Sequence, residues 1–155
     1  MQSLQHMRKM KVGKVTFTEA YKAVNEYRQK FPQKAVTFYA QNYPAMGWAV
    51  FMAGGSCPVI PCTDKAFLKD AAAMEVEETS TDEYKKMVKS DIGSIIYSKS
   101  GTEIPVQLSS GKYVLKYIHP ASGKIETINK SLKINGLYNL KVPDKKEGIY
   151  WFHKL

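Results

Sequence analysis

Arginine is nearly missing from this chain. Of its 23 basic residues only Arg8 and Arg28 are arginine; the rest are lysine. Arginine is the planar fork that reads phosphate and guanine, so a net charge of +9 built almost without it argues against a dedicated nucleic-acid binder. Cysteine is scarce as well. Cys57 and Cys62 bracket the run CPVIPC, and two prolines in so short a spacer restrict disulfide geometry. Buried free thiols are the simpler reading. Zinc asks for four ligands, and His6, His119 and His153 fall in three separate segments, so neither a metal nor another cofactor is expected. No apolar run approaches the length of a membrane span, which excludes a membrane-crossing helix. The first residues, MQSLQHMRKMKVGK, carry basic charge without an apolar stretch behind it, so they do not form a secretory signal. Either the protein is intracellular, or a signal lies upstream in a longer parent that is periplasmic or secreted. A Gly-rich phosphate loop and a nucleophile elbow are also lacking.

What is present divides the chain in two. Residues 1–74 carry ten Lys/Arg against four Asp/Glu, and residues 75–155 carry thirteen against ten. Thr16 and Glu19 have the spacing of a capping box. Phe17, Tyr21, Val24, Tyr27 and Phe31 follow at steps of three and four, the stripe of a helix over about 17–30 that Pro32 ends. The short apolar run from Ala35 to Ala40 reads as a strand buried on both faces. Pro44 opens a nearly all-apolar helix that Gly54-Gly55 stops. Thr63 or Asp64 caps a third helix with Phe67, Leu68, Ala71 and Met74 on one side. One orphan strand cannot make a sheet, so residues 1–74 look like a helix–strand–helix remnant of an α/β barrel. The all-apolar helix should be buried, and unless repacked residues 35–55 should expose apolar surface.

Residues 75–90 are charged and read as a linker, with a helical turn near Glu83–Val88. From residue 91 the pattern is strand and turn. Short strands are expected near 92–98, 103–108, 113–118, 124–129, 131–135, 137–142 and 149–154, separated by Ser/Asn/Glu-Gly pairs. The strongest local signal is His119-Pro120-Ala121-Ser122-Gly123 between alternating segments, a hairpin turn with Pro presetting φ and Gly supplying positive φ. Asn135-Gly136 predicts a further type I′ turn. The fold class is therefore α+β: a short α/β segment (1–74), a linker (75–90) and a small antiparallel β-sandwich (91–155).

The order FYAQNYPAMGWAVFMAGGS, short helix, IIYSKSG, GKYVLKYIHPASGK, GIYWFHKL resembles the C-terminal end of bacterial glycoside-hydrolase-like proteins. In that family a (β/α)₈ barrel is followed by a β-sandwich named as a collagen-binding domain. The family turn has Asp or Asn before the proline, where this chain has His119. The resemblance implies that Ala35–Gln41 is the last barrel strand and that Gln41, Asn42 and Tyr43 face a sugar site, since barrel active sites lie at strand C-terminal ends. Otherwise these three form only the strand-to-helix turn. Nothing in the residues points to collagen itself.

Glycoside hydrolysis needs two carboxyl groups flanking the bond. Glu19 and Asp64 read as caps, Glu26 and Asp70 as helix-surface residues, and none falls at a strand end. The chain alone is therefore expected to be non-catalytic, with any acids upstream. In GIYWFHKL alternation sends Trp151 to the opposite side from Tyr150 and Phe152; Trp151 is either core or a stacking platform for a sugar. The favoured reading is an accessory module whose partners are the rest of a barrel domain and a polysaccharide or glycan. A free-standing immunoglobulin-like binding module and a basic nucleic-acid binder are the rivals.

Overall fold

The computed structural model describes residues 15–37 and 44–155, with backbone only at residues 44 and 45. Three helices lie among them: α1 (Phe17–Lys30), α2 (Pro44–Met52) and α3 (Lys65–Ala73). Six strands follow: β1 (Glu75–Glu77), β2 (Tyr84–Lys89), β3 (Gly93–Ser98), β4 (Glu103–Ile118), β5 (Ile125–Lys141) and β6 (Gly148–Lys154). They form one antiparallel sheet in the order β1-β2-β3-β6-β4-β5. The fold is α+β, with helices first and a sandwich-like antiparallel sheet after them.

Local chemistry sets the helix ends. Thr16 Oγ1 accepts from the Glu19 amide at 3.2 Å, and Glu19 Oε2 accepts from the Thr16 amide at 2.8 Å, completing the capping box. Helix α2 ends in a Schellman pair: the Gly55 amide donates to Val50 O and the Gly54 amide to Phe51 O. Gly54 has φ 70°, which only glycine adopts without strain. Arg28 Nη1 reaches from α1 to Ala53 O at 3.0 Å, setting a cation on the negative end of α2. Asp64 caps α3 through the Phe67 amide at 2.8 Å.

The two faces of the sheet carry separate cores. Ala20, Tyr21 and Val24 of α1, Trp48 to Ala53 around α2, and Phe67, Ala71 and Met74 of α3 pack on Met87, Ile95, Tyr97, Ile118, Ile149 and Trp151. Helix α2, apolar all round, is thus buried on every side, and its apolar residues from Met46 to Ala53 are not exposed as the cut-barrel reading requires. The second core contains Ile104, Val106, Leu108, Tyr113, Leu115, Ile134, Leu140, Tyr150 and Phe152. It is closed by the sheet alone, because the β4–β5 ribbon bends back over its neighbours. Pairing shifts between Leu108 and Gly111, where Ser109-Ser110 on β4 meet Asn135 on β5, and Ser110 Oγ bonds Asn135 Oδ1 at 2.8 Å. A bulge of this kind bends and twists a ribbon.

Four sequence expectations change here. Residues 35–37 are irregular, with Val36 O accepting from the Ser56 amide, and the rest of the expected strand lies outside the described residues. The helices all sit on one face of an antiparallel sheet, so the described residues do not reproduce a barrel end. The stretch 75–90 is not a linker but β1 and β2, because its charges pair with one another. Lys85 Nζ is held by Asp82 Oδ1 at 3.1 Å and Thr81 O at 3.0 Å and lies over the Tyr21 ring. Lys86 Nζ meets Glu77 Oε2 at 3.1 Å and Pro105 O at 3.2 Å. Both lysines are buried. Finally, Asn135-Gly136 does not reverse the chain; strand β5 runs through it.

Candidate functional site

The hairpin between β4 and β5 turns at His119–Gly123, with the Gly123 amide bonded to His119 O and the His119 amide to Lys124 O. Gly123 has φ 70°, as the turn chemistry requires. A Cβ there would also lie 2.5 Å from Pro61 O, so the turn is seated against the loop between the two cysteines and α3. Trp48 Nε1 donates to Pro120 O at 2.8 Å from the other side. The hairpin tip is therefore the clasp between sheet and helical layer. Cys62 is buried in that layer and Cys57 is exposed; both are free thiols, and burial raises the Cys62 thiol above its ordinary range.

Below the clasp, Trp48, Phe67 and Trp151 form an edge-to-face chain with centroid separations of 6.1 and 5.3 Å. It ends on Asp70. The carboxylate Oδ2 accepts from Trp151 Nε1 at 2.9 Å and sits 2.7 Å from His153 Nδ1. Asp70 is buried, whereas the sequence reading put it on a helix surface. The signal was there: three residues after Phe67 and four before Met74, Asp70 falls on the apolar stripe of α3. Alternation along β6 sends Trp151 and His153 to the same face, and pairing of β6 with β3 and β4 fixes their depth. Burial would make an unpaired carboxylate costly; two donors on one oxygen satisfy it. An Asp–His pair joined at Nδ1 can orient an imidazole and hold a proton, and among the described residues no nucleophile bonds to Nε2. The bonds to Asp70 hold the Trp151 and His153 rings in place.

A second polar cluster lies on the other side of the hairpin. His119 Nε2 lies 2.9 Å from Glu126 Oε1. His119 first, then Lys146 and Lys124, holds the Glu126 carboxyl below the usual range. Tyr117 donates to Glu147 O at 2.7 Å, and Tyr97 donates to the Glu147 carboxylate.

Of the sugar-facing candidates, Gln41, Asn42 and Tyr43 lie outside the described residues. Trp151 is fully buried, with the Phe67 edge on its ring, the Lys116 ammonium 4.4 Å from its centroid and its N–H on Asp70. The stacking role is corrected accordingly: here Trp151 is a core residue, because the helices cover its side of the sheet. No group of three His, Cys, Asp or Glu is placed to hold a metal ion among the described residues. No helix among them is long and apolar enough to cross a membrane.

Comparison with known proteins gives a family model and several weak structural likenesses. A model described as a domain of unknown function, DUF6298, matches residues 1–74. No curated protein matches the chain. Among solved structures, a glycoside hydrolase aligns at 14% identity with a TM-score of 0.39, over 54% of this chain and 20% of that one. A structure of CapF with the inhibitor 3-isopropenyl-tropolone aligns at 11% identity and a TM-score of 0.22, over 88% of this chain and 44% of that one. The capsular polysaccharide assembling protein CapF from Staphylococcus aureus aligns at 12% identity and a TM-score of 0.17, over 94% of this chain and 56% of that one. The chain therefore spans about a fifth of the glycoside hydrolase it resembles, and the likeness of residues 1–74 to DUF6298 ends one residue before β1.

Proposed function

We propose that this chain is a non-catalytic accessory module of a larger glycoside-hydrolase-like protein, with structural support and glycan contact as its roles. The observation that carries the reading is how its acids are used. Glu19 and Asp64 cap helices, Asp70 is consumed by Trp151 and His153, Asp82 and Glu77 neutralise buried lysines, and Glu126 and Glu147 tie the hairpin to its surroundings. Each of these seven carboxylates has a structural partner; of the other seven, Glu78 bonds Gln29, Glu83 lies 3.9 Å from Lys99, and Glu26, Glu75, Asp91, Glu103 and Asp144 are exposed on five separate segments. A hydrolase needs two that are free to meet a glycosidic bond. The resemblance of the chain to the end of such proteins supplies the parent, and the match of residues 1–74 alone suits a composite unit in which the sheet is an addition.

The test is direct. The isolated chain should melt cooperatively and release no reducing ends from a panel of plant and bacterial polysaccharides. Turnover by the isolated chain that a point substitution within it abolishes would overturn the reading.

A further inference from the structure

The helical layer does not cover the whole of the sheet face it packs on. Residues 112, 114, 116 and 118 of β4 alternate onto that face, since Ile118 belongs to the core under the helices. Cross-strand pairing extends the row: Lys116 opposes Trp151 on β6 and Thr127 on β5, Val114 opposes His153, and Lys112 opposes Lys133. Lys112, Thr127 and Lys133 are exposed, and Val114, Lys116 and His153 are half-buried. Lys112 and Lys133 stand directly across from each other, an arrangement that costs stability unless an anion lies between them. The Lys116 ammonium is held over the Trp151 ring, which fixes its position before any ligand arrives. Between Ser109 and Asn135 the chain has five lysines and one acid, Glu126. Glu126 opposes Tyr117 and so points to the other face. Asp70, a carboxylate bordering the patch, is buried against His153 and Trp151.

We infer that this uncovered face, centred on Lys112, Lys116 and Lys133, binds an acidic polysaccharide through its carboxylate or sulfate groups. The inference deepens the accessory-module reading and rests on it for the choice of glycan. The surface itself favours that choice over nucleic acid. Its cations are lysines, point charges suited to isolated anionic groups, and among the described residues it offers no exposed aromatic ring for base stacking. Lys112 and Lys116 are four residues apart on one strand, about 13 Å, the reach of an extended chain bearing repeated charges.

Affinity electrophoresis of the whole chain through gels containing polygalacturonate, alginate or a neutral galactan tests it. Retardation is expected in the acidic gels and not in the neutral one, and it should weaken with added salt. The triple variant Lys112→Gln, Lys116→Gln, Lys133→Gln should lose about tenfold or more of this binding. A charge-matched control on other surfaces, Lys30→Gln, Lys99→Gln, Lys145→Gln, should keep it. Circular dichroism and the melting midpoint establish that both variants are folded. Equal retardation of triple variant and control, or no retardation of the unmodified chain, overturns the proposal. Tighter binding to single-stranded DNA than to either acidic polysaccharide reassigns the face to nucleic acid and likewise overturns it. Hydrolysis by the chain would instead overturn the accessory reading and leave the lysine result standing.

Discussion

On one face of the sheet, Trp48, Phe67 and Trp151 close a core with three helices and a loop. On the other, Tyr113, Tyr150 and Phe152 are enclosed by the strands and by Val142 just after β5. The first core depends on contacts between distant parts of the chain and on a few side-chain hydrogen bonds, among them Trp48 to Pro120 and Trp151 to Asp70. The second is made by one bent ribbon folding over strands it already pairs with. The difference suggests a sheet that can hold its inner side while its helical layer loosens.

The largest effect should come from Trp48→Ala, which removes a fully buried ring and the clasp to the hairpin tip. Large-to-small core changes of this size cost about 3–5 kcal/mol. Hydrogen exchange should show helices α1 to α3 losing protection while β4 and β5 retain theirs; uniform loss on both faces would mean that the cores are one cooperative unit. Asp70→Leu comes next. It leaves Trp151 Nε1 without its acceptor inside the core, a loss of about 2 kcal/mol by urea unfolding. Asp70→Asn, which retains a carbonyl oxygen, should recover part of it. Gly123→Ala is expected to cost about 1 kcal/mol or more, since it strains a left-handed backbone and meets Pro61. The same change at the exposed Ser122 should cost little, and equal effects at both would show that the turn is not seated on the loop.

The smallest effect near neutrality, and the one that separates the faces by pH, lies in the buried phenols. Burial, with Glu78 behind it, pushes Tyr21 up to about 12, and burial with neighbouring Tyr117 pushes Tyr150 up to about 12. Tyr97 is raised by burial and by Glu147. Each folded phenol holds its proton more tightly than the unfolded one. The stabilisation is therefore complete below the ordinary value of 10 and is lost as pH climbs from there toward about 12. Tyr21 and Tyr97 face the helices, whereas Tyr150 faces the enclosed core. Urea midpoints followed upward from about pH 8 should fall for the unmodified chain. Tyr21→Phe should blunt the fall more than Tyr150→Phe if the helical layer yields first.

Much of this was legible in the residues, and the failures have physical causes. The capping box at Thr16, the Asp64 cap, the Gly54-Gly55 stop and the Gly123 turn were readable because each rests on neighbours in sequence. Strands β1 and β2 are hidden in the sequence because runs of charge ordinarily mark solvated segments. Lys85 and Lys86 are buried, and only the fold brings Glu77 and the Thr79–Asp82 loop around them. Asn135-Gly136 misled for a different reason. A turn signal reverses a chain only when its flanks are free to pair, and here β5 is already paired to β4 on both sides of it. Set against Leu108 to Ser110, it becomes a corner instead. The Asp70–Trp151–His153 cluster joins residues 81 and 83 positions apart, which periodicity within one helix could flag but not complete.

The Trp48–Pro120 bond also sets an order of events during synthesis. Its partners are 72 residues apart, so the all-apolar helix α2 emerges well before the hairpin that will hold it. At about 5–20 residues per second, that interval is roughly 4–15 s. For those seconds the greasiest segment of the chain has no sheet to rest on, and its first encounter is with whatever waits at the ribosome's exit.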